Sequence, residues 1–227
     1  MKLAPEGNII IYPLTITWVL SNIAVYAYSL DSLYIISGVL SILMIFCINF
    51  FRDPKRIVLQ EDYLILSPAD GKIIKISDFE DPKSGEKFKL ISIFLSVFNV
   101  HVNRMPIDGK FIDVNYVRGE FLAAFDHKAS DKNERMEISI ETKFGIIKVK
   151  QIAGLIARRI LCYAKVGEKM LAGGRLGFIR FGSRTDIILP ASINLEIKLD
   201  QKVFGGETVI GKYGQKKNKK VKEEIFP

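Results

Sequence analysis

The chain has 227 residues, a net charge of +8, 48% hydrophobic residues and a mean hydropathy of +0.18. That length allows one domain with a real core plus a modest appendage, and the hydropathy is high for a soluble protein. Cys47 and Cys162 make no CxxC pair, which argues against a disulfide framework or a zinc site.

The apolar excess sits at the N-terminus. Ile9 to Leu30 is 22 residues without a charge, and Leu33 to Phe51 is another 19. Each matches the roughly 20 residues that cross a bilayer as a helix. Only Asp31 and Ser32 separate them, so the spacing predicts a tight helical hairpin, spanning or re-entrant. Tyr12, Trp18, Tyr26, Tyr28 and Tyr34 suit the headgroup region. Lys2 precedes the first run and Arg52, Lys55 and Arg56 follow the second, which places both ends in the cytoplasm. A cleaved signal peptide leaves the second run unexplained.

Residues 1–51 carry Lys2, Glu6 and Asp31, a net −1, so the remainder carries +9. A basic body behind an apolar segment fits an anionic membrane surface. Zinc-finger spacing, RNP-like aromatics and a basic zipper are not seen, which argues against nucleic acid.

Phe51-Arg52-Asp53-Pro54 marks a boundary, because Pro54 disfavours helix at Asp53. Beyond it, runs rich in Ile, Val, Phe and Tyr predict short strands at Tyr63–Leu66, Lys72–Ile76, Lys89–Phe98, Lys110–Val117, Met136–Thr142, Ile146–Ala153, Ile160–Tyr163, Ile187–Ile188 and Asn194–Leu199. Ala153–Arg159 reads as a short helical turn. The fold class is mainly β, a barrel or sandwich. Val166–Gly174 is partly echoed by Val203–Gly211, a pattern similar to the hairpins of lipoyl and biotinyl carriers. The expected domains are a hydrophobic anchoring hairpin (1–51), a β-rich catalytic domain (52–214) and a basic mobile tail (215–227) able to touch anionic lipid.

Asp70, His101 and Ser183 supply an acid, a base and a nucleophile. A serine hydroxyl is a poor nucleophile until an oriented base takes its proton. His101 and His127 are the imidazoles available, and His127 reads as a loop residue. Each candidate also has a plain reading. Asp70-Gly71 after Ser67-Pro68 suits a hairpin between Leu66 and Lys72, His101 suits a core histidine, and Gly182-Ser183 suits a turn or bulge. No GxSxG elbow is present, against an ordinary α/β-hydrolase.

Three motifs together carry more: Ser67-Pro68-Ala69-Asp70-Gly71, His101-Val102-Asn103-Arg104-Met105-Pro106 and Gly177-Phe178-Ile179-Arg180-Phe181-Gly182-Ser183-Arg184-Thr185-Asp186. In this order and spacing, behind an apolar hairpin and with Lys128–Arg135 between, the chain resembles phosphatidylserine decarboxylase, closest to its short bacterial form. The resemblance runs from about Pro5 to Gly214. There are two departures. Longer members carry HxxHxP where this chain has Arg104 at the second histidine, and many read Gly-Ser-Thr where this one reads Gly182-Ser183-Arg184.

The resemblance implies a chain that cuts itself between Gly182 and Ser183 into 1–182 and 183–227, which stay together as a heterodimer, with any further oligomer open. It implies that His101, oriented by Asp70, deprotonates Ser183, whose oxygen attacks the Gly182 carbonyl to give an ester. β-Elimination then leaves dehydroalanine, which becomes a pyruvoyl group. That covalent cofactor, with no metal, forms a Schiff base with phosphatidylserine and accepts electrons as carbon dioxide leaves. Arg104 and Arg184 are candidate receivers of the lipid phosphate. The implied location is the inner membrane, with the catalytic domain on the cytoplasmic face. Two alternatives stay open: a membrane-anchored serine hydrolase with a standing Asp70-His101-Ser183 triad, and a non-enzymatic lipoyl-like tethered module with Lys169 as the site of modification.

Overall fold

The computed structural model describes residues 2–59, 61–81, 85–120, 132–154, 159–180 and 183–214. His127, Gly182, the tail from 215 and positions 155–158 of the expected helical turn lie outside the described residues.

The chain begins with β1 (Lys2–Leu3), a 3-10 turn (Pro5–Gly7), and two apolar helices, α1 (Asn8–Tyr28) and α2 (Asp31–Phe50). Both helices are long and apolar enough to cross a membrane. Ser29 takes the left-handed conformation and its N–H closes on the Val25 carbonyl, which ends α1. Asp31 sits in the first turn of α2, where a carboxylate favours the helix dipole. Trp18 Nε1 donates to Ser41 Oγ at 2.8 Å and Ser37 Oγ to Asn22 Oδ1 at 3.0 Å. These polar links fix an antiparallel pair where apolar contact alone gives little specificity in lipid.

The strands are β2 (Arg52–Asp53), β3 (Leu64–Leu66), β4 (Gly71–Glu80), β5 (Lys87–Leu95), β6 (Val102–Arg104), β7 (Gly109–Val117), β8 (Arg135–Thr142), β9 (Gly145–Ala153), β10 (Ile160–Cys162), β11 (Lys169–Met170), β12 (Arg175–Ile179), β13 (Ser183–Pro190), β14 (Asn194–Leu195), β15 (Lys202–Val203) and β16 (Val209–Lys212). The fold is mainly β. An eight-stranded antiparallel sheet in the order β11-β7-β8-β9-β13-β5-β4-β15 curls into a half-barrel. Two three-stranded sheets, β10-β12-β6 and β14-β16-β3, complete the body, and β1 pairs with β2. Alternating residues such as Ile91, Ile93, Phe111, Ile138, Val149 and Ile187 fill the core, as period-two strands require.

Four differences from the sequence expectation are physical. β13 runs over eight residues from Ser183, well before the expected Ile187. Its first four residues are polar yet buried, because the strand lies between β9 and β5 with both faces covered. Leu66 and Lys72 do not form a hairpin: β3 pairs with β16, and β4 with β5 and β15. The strand expected over Asn194–Leu199 shortens to Asn194–Leu195 and pairs with β16. Lys169 lies in β11, paired to Lys110 of β7, not at a hairpin tip.

The boundary after Phe51 is not a hinge. Phe50 and Phe51 are wholly buried and pack with Val100, Val102 and Phe178 of the β-domain. Phe178 stacks on Phe51 with ring centroids 5.7 Å apart. The base of the hairpin and this part of the β-domain share one apolar cluster.

Candidate active site

His101 stands between a tight turn and β6. Asn99 Oδ1 accepts from the Ser96 N–H and hydroxyl, which closes the turn. The Asn99 carbonyl lies 2.9 Å from His101 Nδ1. A carbonyl can only accept, so Nδ1 carries the proton and Nε2 keeps its lone pair. The ring is wholly buried, 4.2 Å from the Phe50 ring, and Nε2 has no hydrogen-bond partner among the described residues. Burial, with a smaller push from Arg52, lowers the imidazole pKa to about 4 against the opposing Asn99 bond. His101 is therefore a neutral base at physiological pH.

Ser183 opens β13 between Leu95 of β5 and Ala153 of β9. It is wholly buried, and its Oγ has no partner among the described residues. A buried hydroxyl without a hydrogen bond costs free energy, so this pair of orphaned atoms calls for a function.

Two stretches of chain bring Ser183 and His101 to one region. The Ile179 N–H donates to the His101 carbonyl, and four residues spanning at most about 14 Å lead on to Ser183. On the other side, Leu95 pairs with Ser183 and runs directly into the turn that positions His101.

Asp70 is satisfied elsewhere. Its two oxygens accept from Arg56 at 2.8 and 2.7 Å, and the Gly205 N–H donates to it at 2.8 Å. Burial raises its carboxyl above the ordinary value, while Arg56 and the Gly205 amide oppose the rise. The group that orients His101 is the Asn99 carbonyl, in place of the expected Asp70. Gly71 leaves no room for a side chain: a Cβ there falls 2.2 Å from the Phe94 carbonyl oxygen.

The two arginines expected to take a phosphate have internal partners. Arg104 donates to Asp53 at 2.6 Å and to the Gly173 carbonyl at 3.1 Å. Arg184 is wholly buried and donates to Asp186 and to Ser92 Oγ.

A buried polar relay escaped the sequence reading. Gln151 donates to Asn103 at 2.7 Å, and Asn103 to Thr185 at 3.0 Å, tying β9, β6 and β13 together beside Ser183. Asn103 stands within the His101–Pro106 motif; Gln151 carries no signal in the sequence. Among the described residues, no group of three or more His, Cys, Asp or Glu could hold a metal. A cavity of about 720 Å³ flanks Ile188 and Pro190, toward the other end of β13, and includes neither Ser183 nor His101.

The family model described as phosphatidylserine decarboxylase matches residues 43–211, which include Asp70, His101 and Ser183. The chain belongs to the phosphatidylserine decarboxylase family. It is 44% identical over 171 residues to a phosphatidylserine decarboxylase proenzyme of Chlorobaculum tepidum, covering 75% of this chain and 79% of that one. It is 45% identical over 170 residues to the proenzyme of Chlorobium phaeobacteroides, at 75% and 80% coverage. The proenzyme of Geobacter sp. strain M21 is 46% identical over 171 residues, at 75% and 78% coverage. In this member of the phosphatidylserine decarboxylase family, α1 precedes the matched region, and α2 enters it near its C-terminal end.

Proposed function

We propose that this chain is a self-processing phosphatidylserine decarboxylase whose nucleophile and pyruvoyl precursor is Ser183. The observation that carries this reading is the pair of buried, partnerless atoms, Ser183 Oγ and His101 Nε2, on segments that converge within the family's matched region.

His101 Nε2 takes the Ser183 hydroxyl proton. Oγ then bonds to the Gly182 carbonyl carbon, and the Gly182–Ser183 amide bond breaks, which leaves an ester and a free amine. Loss of the Ser183 Cα proton and cleavage of the Cβ–Oγ bond release 1–182 with a Gly182 carboxylate. Tautomerisation and hydrolysis of residue 183 release ammonia and leave the ketone. Neutral, buried His101, with the lone pair on Nε2, suits the first step. The pyruvoyl group supplies an electron sink for the substrate amine's carbon as carbon dioxide leaves. His101 Nε2 is also our candidate for returning a proton to the substrate α-carbon. Asp70, with Arg56 and Gly205, acts at one remove as a positioning residue.

The partner lipid explains the hairpin. A headgroup leaves a bilayer only at high cost, so the site belongs at the membrane surface. Lys2, Arg52, Lys55 and Arg56 beside the hairpin ends favour the cytoplasmic face of the inner membrane.

Intact mass of the purified protein tests the reading. Two chains divided between 182 and 183, the smaller lacking a normal serine N-terminus, are expected. A single 25.7 kDa species active as a hydrolase would replace it with the standing-triad enzyme.

A further inference from the structure

Phosphatidylserine presents a phosphate diester, and the site should offer a cation near the membrane to hold it. Of the described arginines, Arg56, Arg104, Arg135, Arg175 and Arg184 form ion pairs with carboxylates, and Arg118 and Arg159 are exposed. Two half-buried guanidiniums have no carboxylate partner: Arg52 and Arg180.

Arg52 is the first charge after the second apolar helix. It donates only to neutral oxygens: the Asn49 carbonyl and Oδ1, and the Phe98 carbonyl at 2.7 Å. It therefore caps the C-terminal turn of α2 and grips the turn that carries His101. Its charge acts on both Asp70 and His101. Phe98 beside it is two-thirds exposed, an apolar side chain at the base of the hairpin. Arg180 lies three residues before Ser183. It donates to the Glu6 carbonyl at 3.1 Å, and its Nε is buried with no partner. β1 links the two residues: Leu3 pairs with Arg52, and Glu6 follows three residues on.

Resting on the reading above, we propose that Arg52 and Arg180, joined through β1 and the turn that follows it, form the receptor for the phosphate diester of the substrate headgroup. A guanidinium that already bonds carbonyls keeps its full positive charge, and in a partly dry site that charge favours an anion strongly. Arg104 and Arg184, already matched to carboxylates, have no such charge to offer. The placement sets depth as well as affinity. A lipid phosphate at Arg52 sits level with the end of α2 and brings its serine toward Ser183 and His101.

The test compares two amphiphiles that share the serine amine and carboxylate: short-chain phosphatidylserine, and O-acylserine, which lacks the phosphate. Arg52→Gln and Arg180→Gln are expected to lower kcat/KM for phosphatidylserine roughly 10- to 100-fold, mainly through KM, and to lower it for O-acylserine by a clearly smaller factor. Arg52→Lys should recover part of the loss. Equal losses on both substrates would reduce Arg52 to a strut for the His101 turn and overturn the proposal. So would no loss on either. Should Arg52→Gln remain uncut, Arg180→Gln and competition in the wild type decide. Glycerophosphoserine should inhibit the wild type and lose potency against Arg180→Gln, and equal potency against both would overturn the assignment. If the wild-type protein is uncut and decarboxylates neither amphiphile, the functional reading fails first, and intact mass shows it independently.

Discussion

Arg56 holds both carboxylate oxygens of Asp70, at 2.8 and 2.7 Å, with each side chain only 7% exposed. That grip gives Asp70 a cation in place of an imidazole. His101 in turn gives its Nδ1 proton to Asn99. The two groups that sequence order suggested as direct partners are thus each satisfied by another.

Breaking that pair should be costly. Arg56→Gln leaves a buried carboxylate without its cation, so stability is expected to fall by about 3–5 kcal/mol. The loss should show as an earlier denaturation midpoint in detergent, measured on an uncut Ser183→Ala background. Adding Asp70→Asn should recover part of it. An unchanged midpoint in Arg56→Gln would mean that water already screens the pair.

The buried imidazole makes stability depend on acid. Its folded pKa is about 4 against an ordinary 6.5. Between those values the unfolded chain binds a proton that the folded chain refuses, so stability falls as pH drops from about 6.5 toward 4. At about 1.4 kcal/mol per pH unit of separation, the contribution reaches about 3 kcal/mol. Denaturation of Ser183→Ala precursor at pH 7 and pH 5 checks it. His101→Gln should flatten that window, and an equally steep loss in the variant would place the acid sensitivity elsewhere.

The same imidazole sets the pH range of self-cleavage. In precursor made by cell-free synthesis and shifted in pH, the rate of cutting should hold below pH 6 and fall near 4–5. A midpoint near 6.5 would show that His101 is solvated during the reaction.

Removing residues 1–51 should cost more than membrane attachment. Phe50 lies 4.2 Å from the His101 ring, and Phe50 and Phe51 pack on Phe178. The truncated chain is expected to be poorly soluble and uncut, because an apolar socket and the histidine are laid open together. Keeping residues 45–51 should not suffice, since Ala4 and Ile11 belong to the same cluster. Normal cutting of the truncated chain, by intact mass, would show that the hairpin is a detachable anchor.

The two products should behave as one body. β13 lies at the centre of the eight-stranded sheet between β9 and β5, and β15 and β16 pair with β4 and β3. Chains 1–182 and 183–227 are expected to co-elute on gel filtration in detergent and to separate only in denaturant. The smaller chain is too short to hold a core alone. Separation under native conditions would mean that the cut releases β13.

Much of the architecture was legible because it rests on patterns with a fixed period. Two charge-free runs gave the hairpin, and Ile- and Val-rich alternation gave β4, β5, β7, β8 and β9. The start of β13 is not legible because Ser183, Arg184, Thr185 and Asp186 are polar in sequence and buried in the fold, where Arg184, Thr185 and Asp186 are matched to partners on another strand or within their own and Ser183 Oγ is kept for the proposed chemistry. Short strands such as β6, β11 and β15 escaped because two or three residues carry no period.

The sequence by itself determined the residue types and their order: an apolar hairpin, then Asp70, His101 and Ser183 in motifs that pointed to one family. Those are local properties, set by composition and spacing along the chain. Which group touches which was decided only by the tertiary structure. Asp70 went to Arg56, Arg104 to Asp53 and Arg184 to Asp186, while Asn99 took His101 and left Nε2 open. The reason is electrostatic. A buried charge needs a partner close by, and in a folded sheet the nearest opposite charge comes from the neighbouring strand, turn or next-but-one residue, whatever the motifs suggest.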